Sequence, residues 1–232
     1  MRAVRFAPLG IAAVVSWLGV VEAQETPRPP VPDMQQIAAA LGVTCEYCHA
    51  QAGSGAPGAA LTASGMPRFD VAREMIAMTA EINARVQSTA GKTARVECVT
   101  CHRGVAIPRQ LRDIVLQAAV QKGPDAAVTL YRDLRAQYYG RQAYDFGEQT
   151  LVEAADRLAQ GRPDAAIALA NLNIEFHPQS VRSFLVRGIA QSRRADTTED
   201  AVASFRKVLE LDPGNAVAQG WLVQTEQLLK RR

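Results

Sequence analysis

The sequence is poor in aromatic residues, 6% of 232, and in histidine, of which it has three. Few aromatics beside many alanines argue against a β-sandwich or barrel and for helices. Away from the N-terminus, no apolar run approaches the roughly 20 residues that cross a bilayer. Charge of one sign is also lacking. Lys and Arg number 26 against 23 Asp and Glu, and no dense basic block occurs, so nothing supports a nucleic-acid partner. Cysteine occurs at four positions only, and methionine is absent after Met78. What is present is 48% apolar and 21% charged residues, enough to bury a core and too apolar for a disordered chain.

Residues 1–23 read as a signal peptide. Arg2 and Arg5 form a positive start, Pro8 to Val21 is apolar, and Val21-Glu22-Ala23 ends in a small residue suited to cleavage. An uncleaved membrane anchor is the alternative, and only in that case would the protein touch a membrane. Cleavage removes two arginines and one glutamate and lowers the net charge from +3 to +2. Both readings place the chain outside the cytoplasm, periplasmic or exported. Residues 24–32, with TPRPPVP, then form an extended leader.

The four cysteines form two pairs, each followed by histidine: CEYCH at Cys45, Cys48 and His49, and CVTCH at Cys98, Cys101 and His102. C-x-x-C-H is the attachment signature of c-type haem. Two thiols two residues apart reach the two vinyl groups of one porphyrin, and the next residue gives its imidazole to the iron. Disulfides, a Cys₄ zinc site and a redox-active C-x-x-C compete for the same cysteines. None of them needs histidine after the second cysteine, and a zinc site would have to close over the 49 residues between Cys48 and Cys98. The expectation is therefore two covalently bound haem c groups.

Each iron has a second axial position. Bis-His ligation of both would need four histidines, and only His177 is spare; it reads as a surface residue at a helix end. Methionine is the alternative. After Met1 come Met34, Met66, Met75 and Met78, all around the motifs. Asp33 to Leu41 predicts a short helix, with Asp33 as N-cap, Gln36 three residues on, and Gly42 as its stop. Asp70 to Val86 predicts a longer one with Val71, Met75, Met78, Ile82 and Val86 on one face. The unit of helix, linker and C-x-x-C-H thus occurs twice. Met34 lies seven residues before Leu41, as Met75 does before Ile82, which selects Met34 and Met75 as axial ligands. Met78 is the alternative to Met75, and Met66 is an outsider in the loop SGMPR. Ordinary core packing competes for Met75 and Met78, since both lie on the apolar face.

LGVTCEYCH, AREMIAMTAEIN and VECVTCHRG resemble the photosynthetic reaction-centre cytochrome c subunit family over about residues 33–110. The resemblance implies a helix carrying the axial Met against each haem: Met34 with Cys45, Cys48 and His49, and Met75 (or Met78) with Cys98, Cys101 and His102. Arg103 and Gly104 match the family's CHRG ending. That family carries four haem segments and this chain two, so the implication taken is a periplasmic multihaem electron carrier with redox partner proteins.

From Leu111 the pattern changes to long Ala-rich helices. GPDAAVTLYRDL, GRPDAAIALANL and EDAVASFRKVL resemble one another; Ala166 and Ala201 are 35 residues apart, as are Pro178 and Pro213, and the first unit is offset by 39. The period is close to that of tetratricopeptide repeats, which LELDPGNA also resembles. Proline stops the second helix of a hairpin, and alanine lets two helices cross closely.

The expected fold is mainly α: a small dihaem cytochrome domain at 33–110, then a short solenoid of helical hairpins at 111–232. The expected function is single-electron transfer between redox partners, with the repeats for docking or self-association. A carrier of this kind is not an enzyme. The alternatives are a haem enzyme of peroxidase or reductase type, which needs an open iron and a nearby acid or base, and a redox- or gas-sensing interaction protein.

Overall fold

The computed structural model describes residues 33–48 and 67–231, with the side chains of 67–69 outside that description. The expected signal peptide, the Pro-rich leader, His49 and Met66 lie outside the described residues. The chain divides into two units after Val31, and everything described belongs to the second. Among the described residues there are ten α-helices and no strand. The protein is mainly α, as the scarcity of aromatics and the wealth of alanine predict. No described helix is long and apolar enough to cross a membrane.

Helix α1 spans Met34–Leu41. Asp33 caps it, accepting a hydrogen bond from the Gln35 N–H at 2.9 Å, one residue earlier than a capping box to Gln36 requires. Gly42 stops it in the left-handed conformation, φ +64°, where a side chain is strained. A single 3₁₀ turn over Cys45–Tyr47 follows. Helix α2 spans Pro67–Ala90 and is longer at both ends than the predicted 70–86. Pro67 opens it, since proline's fixed φ suits a first turn. Beyond Val86, the Ser88 and Thr89 hydroxyls donate to the Arg85 carbonyl at 2.7 and 3.0 Å, and the helix runs on to the glycine at 91. Helix α3 is the five-residue Cys98–His102.

Helices α4 (Leu111–Lys122), α5 (Pro124–Tyr138), α6 (Glu148–Leu158), α7 (Pro163–Phe176), α8 (Val181–Ser192), α9 (Thr198–Leu211) and α10 (Ala216–Lys230) pack in sequence, each against the next or the next but one. Short connections make neighbours antiparallel hairpins. The three related segments begin α5, α7 and α9. Their equivalent alanines Ala127, Ala166 and Ala201 are all fully buried, at the crossings where only a methyl fits. The offset of 39 in the first unit arises largely between α5 and α6. Nine residues join those helices, against four between α7 and α8. The extra length brings Tyr144 and Phe146 edge-on against Tyr138 and Tyr131. A buried amide ties three helices together: Asn173 Nδ2 donates to the Glu148 carbonyl at 3.1 Å and to Ser183 Oγ at 2.6 Å.

Gly188 lets α8 lie on α9. A methyl placed there meets the Phe205 ring at 2.6 Å, and that ring is fully buried and stacked on Trp221 at 6.1 Å. Gly188→Ala should therefore destabilise the hairpin stack by about 1–3 kcal/mol despite alanine's better helix propensity. Chemical denaturation followed by circular dichroism measures this; a gain in stability would show that Phe205 can move aside.

The buried apolar residues divide unevenly along the chain. From Leu111 on they form the core, with Val115, Leu151, Leu169 and Phe205 among those fully enclosed. From Asp33 to Gln110, only Ala40 and Val105 are buried among the described residues.

Candidate haem-binding site

A cavity of about 370 Å³ fills the place where that first stretch lacks a core. Helix α2 supplies one wall with Val71, Met75, Met78 and Ile82, four of the five positions of the apolar face read from the sequence. The second C-x-x-C-H motif supplies another, with Cys98, Cys101 and His102. Ile37 and Leu41 of α1, Tyr47 and Cys48 of the first motif, and Ile107 complete the rim. The volume lies within the range of cofactor pockets, and the lining is mostly apolar, with a few polar side chains such as Glu97, Thr79 and His102. Met75 and Met78 are 39% and 44% exposed, and Ile107 is 68% exposed. Core packing therefore does not account for these side chains. All three line the cavity, whose walls are largely apolar.

The local sequence builds the motif wall. Glu97 and Thr100 form a capping box, each side chain bonded to the other's backbone N–H, which starts the single turn of α3. That turn places Cys98 and Cys101 three residues apart on one face. Arg103 at φ 50° and Gly104 at φ 87° then reverse the chain. The reversal returns the Val105 carbonyl to 3.0 Å from His102 Nδ1. A carbonyl can only accept, so Nδ1 is the donor of this bond and Nε2 is left free for another partner. Bonds of this kind orient imidazoles that bind metals. Gly104 in turn donates its N–H to the Ala40 carbonyl at 2.8 Å, which docks α3 on α1.

Of the expected site residues, Met75, Met78, Cys98, Cys101 and His102 come together at one cavity. A haem fits these residues: two free thiols, an imidazole held through Nδ1, two thioethers lining the same space, and apolar flanks. The first set is not gathered in the same way. Cys48 stands at the rim of that cavity, Cys45 is exposed on the 3₁₀ turn, and Met34 is exposed at the start of α1 and does not line the cavity. His49 falls outside the described residues. His177 caps α7, half-buried rather than fully at the surface, and does not line the cavity. All four cysteines are free thiols, and no three His, Cys, Asp or Glu side chains among the described residues converge as a metal site.

Sequence reasoning missed Asn83. Its Nδ2 donates to the Val96 carbonyl at 2.8 Å and its Oδ1 accepts from the Val96 N–H at 2.7 Å. One amide thus pairs with both backbone groups of a residue two positions before Cys98. A lone Asn inside a helix gives no signal of a partner 13 residues away.

Residues 58–128 match the family model described as the photosynthetic reaction centre cytochrome C subunit. The matched stretch takes in α2, the second motif, α4 and the start of α5, and leaves out α1 and the first motif. The family likeness read from the sequence therefore stands, with its limits moved from about 33–110 to 58–128. It points to electron carriage, to haem c and to redox partner proteins. No curated protein and no solved structure matches the chain.

Proposed function

We propose that the protein is an exported cytochrome carrying two covalent haem c groups and passing single electrons between redox proteins. The observation that carries this reading is the cavity walled by Cys98, Cys101 and His102 on one side and by Met75 and Met78 on another. The iron of each bound haem supplies the chemistry, a one-electron change between its ferrous and ferric states. The chain's own residues hold and tune the group. Cys98 and Cys101 would attach the haem, and His102 and Met75, with Met78 as its alternative, would hold its iron. His/Met ligation gives a higher potential than bis-His. The first motif, Cys45, Cys48 and His49 with Met34, holds the second haem in the same manner. Cys48 at the rim of the Cys98 cavity supports haems near enough to exchange electrons.

The N-terminal segment, read as a cleaved signal peptide, directs the chain to the periplasm. The hairpin stack from α4 to α10, with its resemblance to tetratricopeptide repeats, serves as the docking or assembly module. Two propionates on each haem take the net charge from +2 toward −2, so partner recognition rests on local patches rather than on the whole.

The test is the absorption spectrum and pyridine haemochrome content of protein exported with the c-type maturation machinery. Two low-spin haems per chain, with the weak long-wavelength Met-to-ferric band and no carbon monoxide binding, are expected. Met75→Ala, with Met78 kept, should halve that band and open one iron to carbon monoxide. An unchanged Met75→Ala spectrum moves the ligand to Met78. A wild type without covalent haem sinks the proposal, and one with a high-spin iron turns it toward catalysis or gas sensing.

A further inference from the structure

We infer that Asn83 is the positioning residue of the second haem site: its paired hydrogen bonds to Val96 set the distance between the methionine helix and the C-x-x-C-H motif. The inference rests on the two-haem reading proposed above. Two ligands supplied to one iron by α2 and α3 would need the two helices held at a fixed spacing. Helix packing does not supply that spacing. Helix α3 packs on α1, whereas α2 packs closely on no other helix among the described residues and faces the others across the cavity.

The Asn83 amide bridges this gap. The bonds of 2.8 and 2.7 Å engage both the carbonyl and the N–H of Val96, so the backbone there can neither slide along α2 nor rotate away from it. Both groups are partly buried, where the alternative of bonding to water is reduced. Met78 lies five residues before Asn83 and Met75 eight, about 7.5 and 12 Å along the helix axis at 1.5 Å per residue. Cys98 lies two residues after Val96. The clamp therefore ends at Val96, which lines the cavity, and ties one of its walls to the other. Only an amide does this. A carboxylate can accept from the N–H but repels the carbonyl, and a leucine of similar size can do neither.

The experiment uses the full holoprotein and the variants Asn83→Asp and Asn83→Leu. The expected result is two covalent haems per chain in all three proteins, since the Cys98 and Cys101 thiols remain. The Met-to-ferric band should fall by half in Asn83→Leu and by less in Asn83→Asp. Ferrous Asn83→Leu should bind one carbon monoxide per chain where wild type binds none. Potentiometry should show one haem lowered in potential and the other unchanged, which a merely structural loss would not produce. Wild-type band intensity and carbon monoxide resistance in Asn83→Leu would overturn the inference. Should Asn83→Leu be exported with less haem, Asn83→Asp decides, because it keeps the shape: a full band in that variant overturns the inference, a reduced band at full haem content supports it. A wild type lacking two haems would instead strike the reading beneath it, and the haem count separates the two failures.

Discussion

Replacing Cys98 and Cys101 together by alanine is expected to halve the haem content, from two per chain to one, and to unfold the region around α2 without unfolding α4–α10. The size of the effect follows from where apolar surface is buried. From Leu111 onward the protein has its own core, including Leu151, Leu169 and Phe205. Between Asp33 and Gln110, the described residues bury only Ala40 and Val105, while Val71, Met75, Met78 and Ile107 stand exposed around the cavity. Burying four such side chains is worth on the order of 5 kcal/mol, at about 1.5–3 kcal/mol for each fully covered one, reduced because the rim stays partly wet. That is comparable to the whole stability of a small domain. A bound haem would supply this cover, and without it α2 packs closely on no other helix among the described residues. Limited proteolysis should cut the double variant between residues 67 and 110 and leave a resistant fragment beginning near α4. The matching change of Cys45 and Cys48 should also remove one haem and leave the Cys98 cavity filled. Two haems remaining after loss of Cys98 and Cys101 would show that the second motif is not an attachment site.

The resistant fragment in that experiment corresponds to the part of the fold most legible in the sequence. Repeated local patterns fix it: Ala127, Ala166 and Ala201 stand at equivalent places in three related segments, and each is fully buried. The prolines at 178 and 213 each lie two residues past the last residue of α7 and α9. The motif spacing is equally plain, because C-x-x-C-H is contained within five residues. The apolar face of α2 was read as one stripe, and four of its five members line the cavity. What escaped were contacts between residues distant in sequence. The Asn83 clamp joins a side chain to backbone 13 residues on, and backbone groups carry no sequence signature. The bond that orients His102 depends on a chain reversal at Arg103, and arginine is an unusual residue at positive φ. The limits of α2 were misjudged because Pro67 looked like loop and Ser88-Thr89 like a terminus. In the helix these residues serve as a first turn and as hydroxyls bonding back to Arg85. Gly42 was legible as a helix stop, but its second duty was not.

That second duty gives the other large effect: Gly42→Ala should loosen the cavity around the second motif although Gly42 lies just before the first motif. Two separate penalties meet at this residue. Its φ of +64° costs a residue with a Cβ roughly 1–2 kcal/mol. In addition, a Cβ there would lie 2.1 Å from the Gly104 carbonyl oxygen and 2.8 Å from its carbon, and the obstruction is backbone rather than a side chain that could swing away. The clash leaves α1 no option but to back off from α3. The Gly104 N–H then loses the Ala40 carbonyl, now at 2.8 Å, and the turn through Arg103 and Gly104 loses its support. Because the Val105 carbonyl closes that turn onto His102 Nδ1, the imidazole is freed as well. Hydrogen exchange at the Gly104 amide reads the opening directly. An acceleration of about 30- to 1,000-fold, equivalent to roughly 2–4 kcal/mol of local opening, is expected, with no change at amides of α6 to α9. Gly42→Asn separates the two penalties, since asparagine tolerates positive φ better but still carries a Cβ. If asparagine and alanine are equally damaging, close approach to Gly104 is the cause. If asparagine restores slow exchange, the backbone angle alone governs, and the link from Gly42 through Gly104 to His102 does not exist.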